Sequence, residues 1–202
     1  MEDEEEKIYE ISEFSLGTNQ HSKVYSLKNK NTGKVLVVKI FEDFNIANYE
    51  NESKIVKMIN QKYNCMENPF FIMYKDINYN ANLFKKPKEV KGGNFECLFY
   101  DYLSKLSLID YIHNANEQIK EIHIQFLTYK LLKAIQKMDS INISHSKINA
   151  SNIMFDKEFN TKLIHFSEAK IAEEKSGLKE DLFQLGKTLA KIFSLGICTS
   201  IN

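Results

Sequence analysis

Apolar and polar residues alternate along much of the first half of the chain, and short polar segments separate the alternating stretches. A period of two residues is typical of β-strands, and here it predicts strands over Phe14–Leu16, Lys23–Leu27 and Lys34–Ile40. The segment Asn29–Gly33 supplies a hairpin turn between two of them, because Asn and Gly tolerate a positive φ. Three strands in succession predict an antiparallel sheet.

The pattern then passes from strand to helix and back. Apolar residues recur at helical spacing over Asn51–Gln61, which predicts the first helix. Strands are predicted over Phe70–Lys75 and Phe95–Tyr102, the second of them buried because it is rich in aromatic residues. Between them, Tyr79–Asn94 contains Pro87 and a Gly-Gly pair, and we expect it to form a polar loop or a loose hairpin.

Helical periodicity dominates the second half. It predicts a short helix over Ser107–Asn114 that Ser107 caps, a long helix over Ile119–Asp139 and a third over Lys179–Leu195. The apolar stripe of the long helix is predicted to comprise Ile122, Phe126, Leu127, Leu131, Ile135 and Met138. Strands followed by helices indicate an α+β fold.

Composition narrows the class of protein. The chain has 202 residues and a formal net charge of zero, so electrostatics gives no reason to expect nucleic acid or an anionic membrane as partner. The acidic tail over residues 1–7 has the wrong charge for a targeting segment, and no apolar run approaches the ~18 residues of a membrane helix. We therefore expect a cytoplasmic, intracellular protein. The three cysteines form no C-x-x-C pair and predict neither a zinc site nor a disulfide.

Two stretches of the strand-rich half carry candidate chemistry. Gly17 and Val24 stand at the ends of one motif, with Asn19 and Ser22 between them, and Lys39 follows in the run Val37 to Ile40. These stretches resemble the glycine-rich loop G-x-G-x-x-G-x-V and the V-A-I-K strand of eukaryotic protein kinases. In that family the lysine grips the α and β phosphates of ATP and is held by a helix glutamate. The resemblance gives that role to Glu52, with Glu50 as a competing candidate.

The segment 140–167 resembles the catalytic loop H-R-D-L-x-x-x-N and the following D-F-G motif of the same family. Asn152 matches the metal-binding asparagine, but Lys147 stands where the family has its catalytic aspartate and His165 where it has its metal-binding aspartate. Asn149 takes the place of the loop lysine that steadies the transferred phosphate. Both carboxylates of the catalytic pattern are therefore expected to be missing.

Further matches complete the resemblance. Asp181 and Gly186 resemble the central-helix motif D-x-W-S-x-G, and only fifteen residues separate His165 from Asp181, so a shortened activation segment is expected. The family's stacked residues between its lobes fall on Val56, His145 and Phe166. Its nucleotide contacts fall on Gly17, Val24, Val38, Lys39, Glu52, Tyr100, Leu103, Asn152 and Met154.

The resemblance implies a two-lobed, protein-kinase-like α+β fold. An antiparallel β-sheet lobe with one helix is expected over about 8–100, a hinge over about 101–104, and a mainly helical lobe lacking the family's last helices over about 105–202. Magnesium requires anionic oxygen ligands, and neither Lys147 nor His165 supplies one. The chain is therefore expected to be a catalytically inactive pseudokinase that acts as an interaction, scaffold or allosteric module.

No metal and no required cofactor are expected, and any ATP binding should be weak and independent of metal. Two alternatives stay open: a nucleotide-binding switch without hydrolysis, and an atypical, weakly active Ser/Thr protein kinase. Apolar residues cover most of the circumference of the last predicted helix, more than the long helix can bury. A protein partner, or self-association, is therefore expected to use residues 182–198.

Overall fold

The computed structural model describes residues 7–19, 21–42, 45–63, 69–80, 83–91, 94–103, 107–114, 119–171, 176–194 and 198–199. The chain divides into two units. The first comprises residues 1–53 and 73–102, and the second comprises residues 54–72 and 103–202. The segment 54–72, which the sequence analysis placed in the first lobe, is thus grouped with the second unit.

Six strands of the first unit pair into one antiparallel sheet. They are β1 (Tyr9–Ile11), β2 (Gly17–Thr18), β3 (Lys23–Asn29), β4 (Val35–Glu42), β5 (Tyr74–Lys75) and β6 (Phe95–Asp101). Their order is β1-β3-β4-β6-β5, with β2 paired to β3. The register sets Lys39 of β4 opposite Val24 of β3 and Leu98 of β6, and the predicted antiparallel sheet is confirmed.

The turn between β3 and β4 forms as the sequence predicts. The Asn29 side-chain oxygen accepts hydrogen bonds from the amides of Asn31 and Thr32 at 3.0 and 2.8 Å. Gly33 has a φ of 70°, a left-handed conformation that glycine adopts at little cost. Local side-chain chemistry therefore closes this hairpin.

Two strand predictions are wrong. Phe14–Leu16 forms no strand, and the Phe14 side chain is 73% exposed. Strands form on either side of it, at β1 and β2, because backbone pairing with β3 and not apolar content decides where a strand lies. Only Tyr74–Lys75 of the predicted strand Phe70–Lys75 is a strand. The backbone of Phe70 and Ile72 instead bonds to Leu163, within the second unit.

The hydrophobic core of the first unit lies against this sheet. It contains Tyr25, Leu27, Leu36, Val38, Ile40, Leu83, Phe84, Val90, Cys97 and Phe99. Three of these residues come from the segment 83–91, which lies in the predicted polar loop. Its described residues form no regular secondary structure, which agrees with the loop and not with the hairpin, yet the segment supplies apolar side chains to the core.

Helix α1 spans Ile46–Lys62 and begins five residues earlier than predicted. The polar residues Asn48, Glu50 and Asn51 hide its start in the sequence, because they interrupt the apolar stripe. The first turn is nevertheless held by packing, since the Tyr49 ring lies 5.8 Å from the Phe41 ring in an edge-on contact.

The second unit contains the remaining helices and short strand pairs. They are α2 (Leu108–Asn114), β7 (Ile119–Lys120), α3 (Glu121–Asp139), β8 (Ile143–Ser144), β9 (Ile153–Phe155), β10 (Thr161–Leu163), β11 (Lys170–Ile171), α4 (Ser176–Ser194) and β12 (Cys198–Thr199). β9 and β10 form an antiparallel hairpin, β11 pairs with β8, and β12 pairs with β7. The Ser107 hydroxyl accepts a hydrogen bond from the Asp110 amide at 3.3 Å, so the predicted cap of α2 is present.

The apolar stripe of α3 is partly different from the prediction. Its buried residues are Ile124, Leu127, Leu131, Ala134, Ile135 and Met138. Ile122 and Phe126, both assigned to the apolar stripe from the sequence, are exposed. The packed face of α3 is turned slightly away from them, which periodicity cannot show when apolar residues occupy two adjoining faces. None of the described helices is both long and apolar enough to span a membrane.

Candidate functional site

Strand β4 and helix α1 bring the two principal candidates of the first unit together. The Lys39 ammonium lies 2.6 Å from Oε2 of Glu52, and the two side chains are only 5% and 1% exposed. Glu52 is therefore the glutamate that pairs with Lys39, while Glu50 is exposed on the same helix. In a buried ion pair the attraction between the two groups offsets the cost of removing both charges from water, so loss of either partner leaves an uncompensated buried charge.

Tyr100 is a third member of this cluster. Its hydroxyl donates to Oε1 of Glu52 at 2.8 Å, so each oxygen of the carboxylate has its own donor. Burial, and then the nearby Glu52 charge, raise the pKa of the Tyr100 phenol well above its usual range. The Tyr100 ring also makes an edge contact with Tyr74, at 6.1 Å between ring centroids. The sequence analysis named Tyr100 but did not foresee its hydrogen bond to Glu52.

The loop after Gly17 is organised by one side chain. The Asn19 side-chain oxygen accepts hydrogen bonds from the amides of His21 and Ser22, both at 2.8 Å, and from the Ser22 hydroxyl at 3.2 Å. Backbone amides in such a loop are the groups that hold an anion when they point outward together. Here two of them already bond to Asn19. Gln20 of the loop lies outside the described residues.

The other first-unit candidates lie on β3 and β4. Val24 is half-buried and pairs with Lys39 in the sheet register, whereas Val38 is fully buried in the first-unit core. The sheet therefore places Gly17, Val24 and Lys39 on neighbouring strands, since Gly17 of β2 is opposite Val24.

In the second unit, helix α4 holds the loop that follows β8. The Asp181 carboxylate accepts hydrogen bonds from the amides of His145 and Ser146, at 2.8 and 2.9 Å. Burial raises the pKa of Asp181, and the two amide hydrogen bonds oppose that shift. Ser146 has a φ of 59°, a left-handed conformation that is uncommon for a non-glycine residue. The Asp181 carboxylate holds this turn in place.

Two further residues of α4 continue the same support. The Gln184 side chain accepts from the Ile148 amide at 2.6 Å and donates to the Ser146 carbonyl at 2.8 Å. The Thr188 hydroxyl donates to the Ile148 carbonyl at 3.1 Å. The sequence analysis missed both residues. Their spacing from Asp181, three and seven residues, puts them on one helix face, and this polar line was the available signal.

Lys147 makes an ion pair with Glu168, and the two side chains are 39% and 40% exposed. This pair was not predicted from the sequence. The Lys147 carbonyl accepts a hydrogen bond from the Asn152 side-chain amide at 2.9 Å. The Asn149 side chain caps the short 3-10 helix Ala150–Asn152 by accepting from the Ser151 and Asn152 amides. Asn149 and Asn152 therefore both stabilise the loop backbone around Lys147.

His165 adopts a φ of 69°, and its Nε2 lies 3.0 Å from the Ser167 hydroxyl. The neighbouring Phe166 is buried, with ring centroids 4.8 Å from His145 and 6.2 Å from Phe71. His145 and Phe166 thus pack together as expected, and Val56 is also buried.

The remaining candidates are less constrained. Met154 is half-buried in β9 opposite Lys162, and Leu103 is half-buried beyond β6. Among the described residues, no three His, Cys, Asp or Glu side chains are grouped in a way that could hold a metal ion.

Comparison with known proteins accounts for this arrangement. The family model of the protein kinase domain matches residues 10–185. Smooth-muscle myosin light chain kinase of Gallus gallus is 27% identical over 178 residues, which are 85% of this chain and 8% of the relative. Extracellular signal-regulated kinase 2 of Dictyostelium discoideum is 38% identical over 96 residues, which are 48% of this chain and 26% of the relative. The chain thus spans only a small part of the curated relatives it matches.

A solved structure shows the same fold. The crystal structure of a kinase domain superposes with a TM-score of 0.75 at 16% sequence identity, covering 92% of this chain and 64% of the other. The sheet with α1 and the helical second unit are therefore those of the protein-kinase-like fold. Since the family model matches most of the sequence, the chain belongs to the protein kinase domain family.

Proposed function

We propose that this chain does not transfer phosphate and that it acts as an interaction, scaffold or allosteric module. The observation that carries the proposal is the ion pair of Lys147 with Glu168 in the loop that matches the catalytic loop of the family. A general base must accept a proton from the substrate hydroxyl. Lys147 places an amine that contacts Glu168 where the family has the carboxylate that accepts this proton.

The residues at the matching metal positions do not fit magnesium. Mg²⁺ prefers carboxylate, phosphate and water oxygens in octahedral geometry, and His165 offers a ring nitrogen that already lies beside Ser167. The Asn152 side-chain amide donates to the Lys147 carbonyl. Glu168 is the acidic residue nearest to His165 in the sequence, and its carboxylate contacts Lys147. The proposed function therefore involves no metal.

The test is transfer of radiolabelled phosphate from ATP to the chain itself and to a generic protein substrate. We expect no incorporation above that of the Lys39→Ala variant, with either magnesium or manganese present. Incorporation that Lys39→Ala abolishes would establish the alternative, a weakly active Ser/Thr kinase.

A nucleotide-binding switch without hydrolysis is the second candidate, and the buried pair of Lys39 with Glu52 favours it. In the family this lysine contacts the ATP phosphates. Nucleotide binding should be weak, because two loop amides already donate hydrogen bonds to the Asn19 side chain. Thermal-shift titration of ATP with and without magnesium tests this. Tightening by magnesium of more than about tenfold, ~1.4 kcal/mol, would contradict the poor fit of His165 to the metal.

We also propose protein contact through residues 182–198. Leu182, Phe183 and Phe193 of α4 are exposed, and the Phe183 side chain is 67% exposed. Exposed apolar residues grouped on one element are typical of interaction surfaces. Residues 195–197 of this segment lie outside the described residues. Sedimentation over a wide range of concentration tests self-association, and Phe183→Glu should weaken it. Gln136→Glu, at an exposed position of α3, makes the same change of charge outside this segment and is the control.

A further inference from the structure

The Glu52 carboxylate is tied to two adjacent strands of the sheet by different donors. Lys39 of β4 binds Oε2 at 2.6 Å, and Tyr100 of β6 binds Oε1 at 2.8 Å. All three residues are buried, and β4 and β6 are neighbours in the sheet. Helix α1 is therefore fixed to the sheet through both oxygens of one side chain.

Because Tyr100 is a second donor to Glu52, the Lys39–Glu52 pair depends less on groups outside the protein. A buried carboxylate with only one donor keeps an oxygen whose hydrogen bonds to water have been lost, and this is costly. Tyr100 removes that cost with a group of the protein itself. The Lys39–Glu52 contact consequently needs no ligand to complete it.

We propose that Tyr100 is a positioning residue, which holds Glu52 against Lys39 and keeps residues 46–53 of α1 docked on the sheet in the absence of nucleotide. This inference deepens the proposed function by naming the regulation of the same site. A domain whose helix is docked permanently presents one fixed surface and does not report whether nucleotide is bound.

The surroundings of Tyr100 favour a permanent donor. The groups that face it are Glu52 from α1, Lys39 through that carboxylate from β4, and Tyr74 from β5. Burial and the Glu52 charge keep the phenol protonated throughout the neutral range, because they raise its pKa. The Tyr100 phenol therefore remains a hydrogen-bond donor to Glu52 throughout the neutral range.

Hydrogen exchange of the amides of residues 50–53 tests the proposal in the full chain without ligand. In the native protein these amides should be protected to within about tenfold of those of β4. Tyr100→Phe should speed their exchange at least tenfold. Tyr74→Phe is the matched control, since the Tyr74 hydroxyl bonds to Asp76 at 3.3 Å, and it should change the rate less than twofold.

A second background separates positioning from simple packing. If Tyr100 acts through Glu52, adding Tyr100→Phe to the double variant Lys39→Met/Glu52→Met should leave the exchange rate of residues 50–53 unchanged. If the Tyr100 hydroxyl only filled space, Tyr100→Phe would speed exchange equally in both backgrounds. That outcome would overturn the proposal. So does weak protection of these amides in the native chain, a measurement that requires no variant to fold.

The result is separable from the question of catalysis. Phosphate transfer by a chain with a docked helix would refute the non-catalytic function and leave the role of Tyr100 standing. An undocked helix in a chain without transferase activity would do the reverse.

Discussion

Lys39 and Lys147 each face one carboxylate, but their surroundings differ. Lys39 and Glu52 are almost completely buried, whereas Lys147 and Glu168 are each about 40% exposed. Water screens the second pair strongly and the first hardly at all. The same two chemical groups therefore have different roles: the buried pair fixes a helix to a sheet, and the partly exposed pair connects two loop segments of the second unit.

The two units also differ in how they hold the backbone near these lysines. The first unit uses charge, since Lys39, Glu52 and Tyr100 form one buried cluster. The second unit uses α4, where Asp181 and its neighbours on the same face bond directly to the loop backbone. The Lys147 side chain takes no part in these hydrogen bonds. This difference between the two units leads to predictions about stability.

The largest effect is expected for Glu52→Ala. It leaves Lys39 buried without its carboxylate, which in other proteins costs about 3–5 kcal/mol of unfolding free energy. Urea denaturation of the full chain measures the loss. Glu50→Ala, on the exposed side of the same helix, is the control and should stay within about 0.5 kcal/mol of the native value. Equal effects of the two substitutions would remove the distinction between buried and exposed charge.

Asp181→Ala should lower the free energy of unfolding by about 2–4 kcal/mol, because the buried amides of His145 and Ser146 both lose their acceptor. Denaturation with urea again reports the change, and Lys179→Ala, at an exposed position of the same helix, is the control. A loss below about 1 kcal/mol would mean that α4 does not hold this loop, and the contrast between the two units would then fail.

Buried phenols should make the first unit sensitive to alkali. Burial, assisted by Glu89 for Tyr25 and by Asp76 for Tyr74, raises the pKa of each phenol from 10.0 to about 12. Their contribution to stability is therefore complete below pH 10 and is lost as the pH rises toward 12. Urea midpoints measured from pH 8 to pH 11.5 should fall at the upper end, and Tyr25→Phe should reduce the fall. A flat profile in the native chain would argue against buried phenols.

The smallest effect is expected for Lys147→Ala. Partly exposed ion pairs contribute about 0–1 kcal/mol, and salt weakens them further. Unfolding free energies of Lys147→Ala and Glu168→Ala should lie within about 1 kcal/mol of the native value, and the difference should shrink in 1 M salt. A loss comparable with that of Glu52→Ala would show that the exposed pair is structural after all.

The sequence by itself determined the features that depend on neighbouring residues. The hairpin turn at Asn29–Gly33 and the Ser107 cap follow from side chains that bond to backbone groups two or three residues away. The change of period from two to 3.6 was enough to predict the order of strands and helices. The motifs, taken in order, indicated the family, and the resemblance to that family predicted that Lys39 pairs with Glu52.

Only the tertiary structure decided which of several similar residues meet. Tyr100 and Glu52 are 48 residues apart and Lys147 and Glu168 are 21 apart, and no periodic pattern relates such positions. The same holds for the apolar residues of the loop 83–91 and for the face of α3 that excludes Phe126. The physical reason is that burial, and with it the strength of a charge pair or an apolar contact, is a property of the packed chain and not of the local sequence.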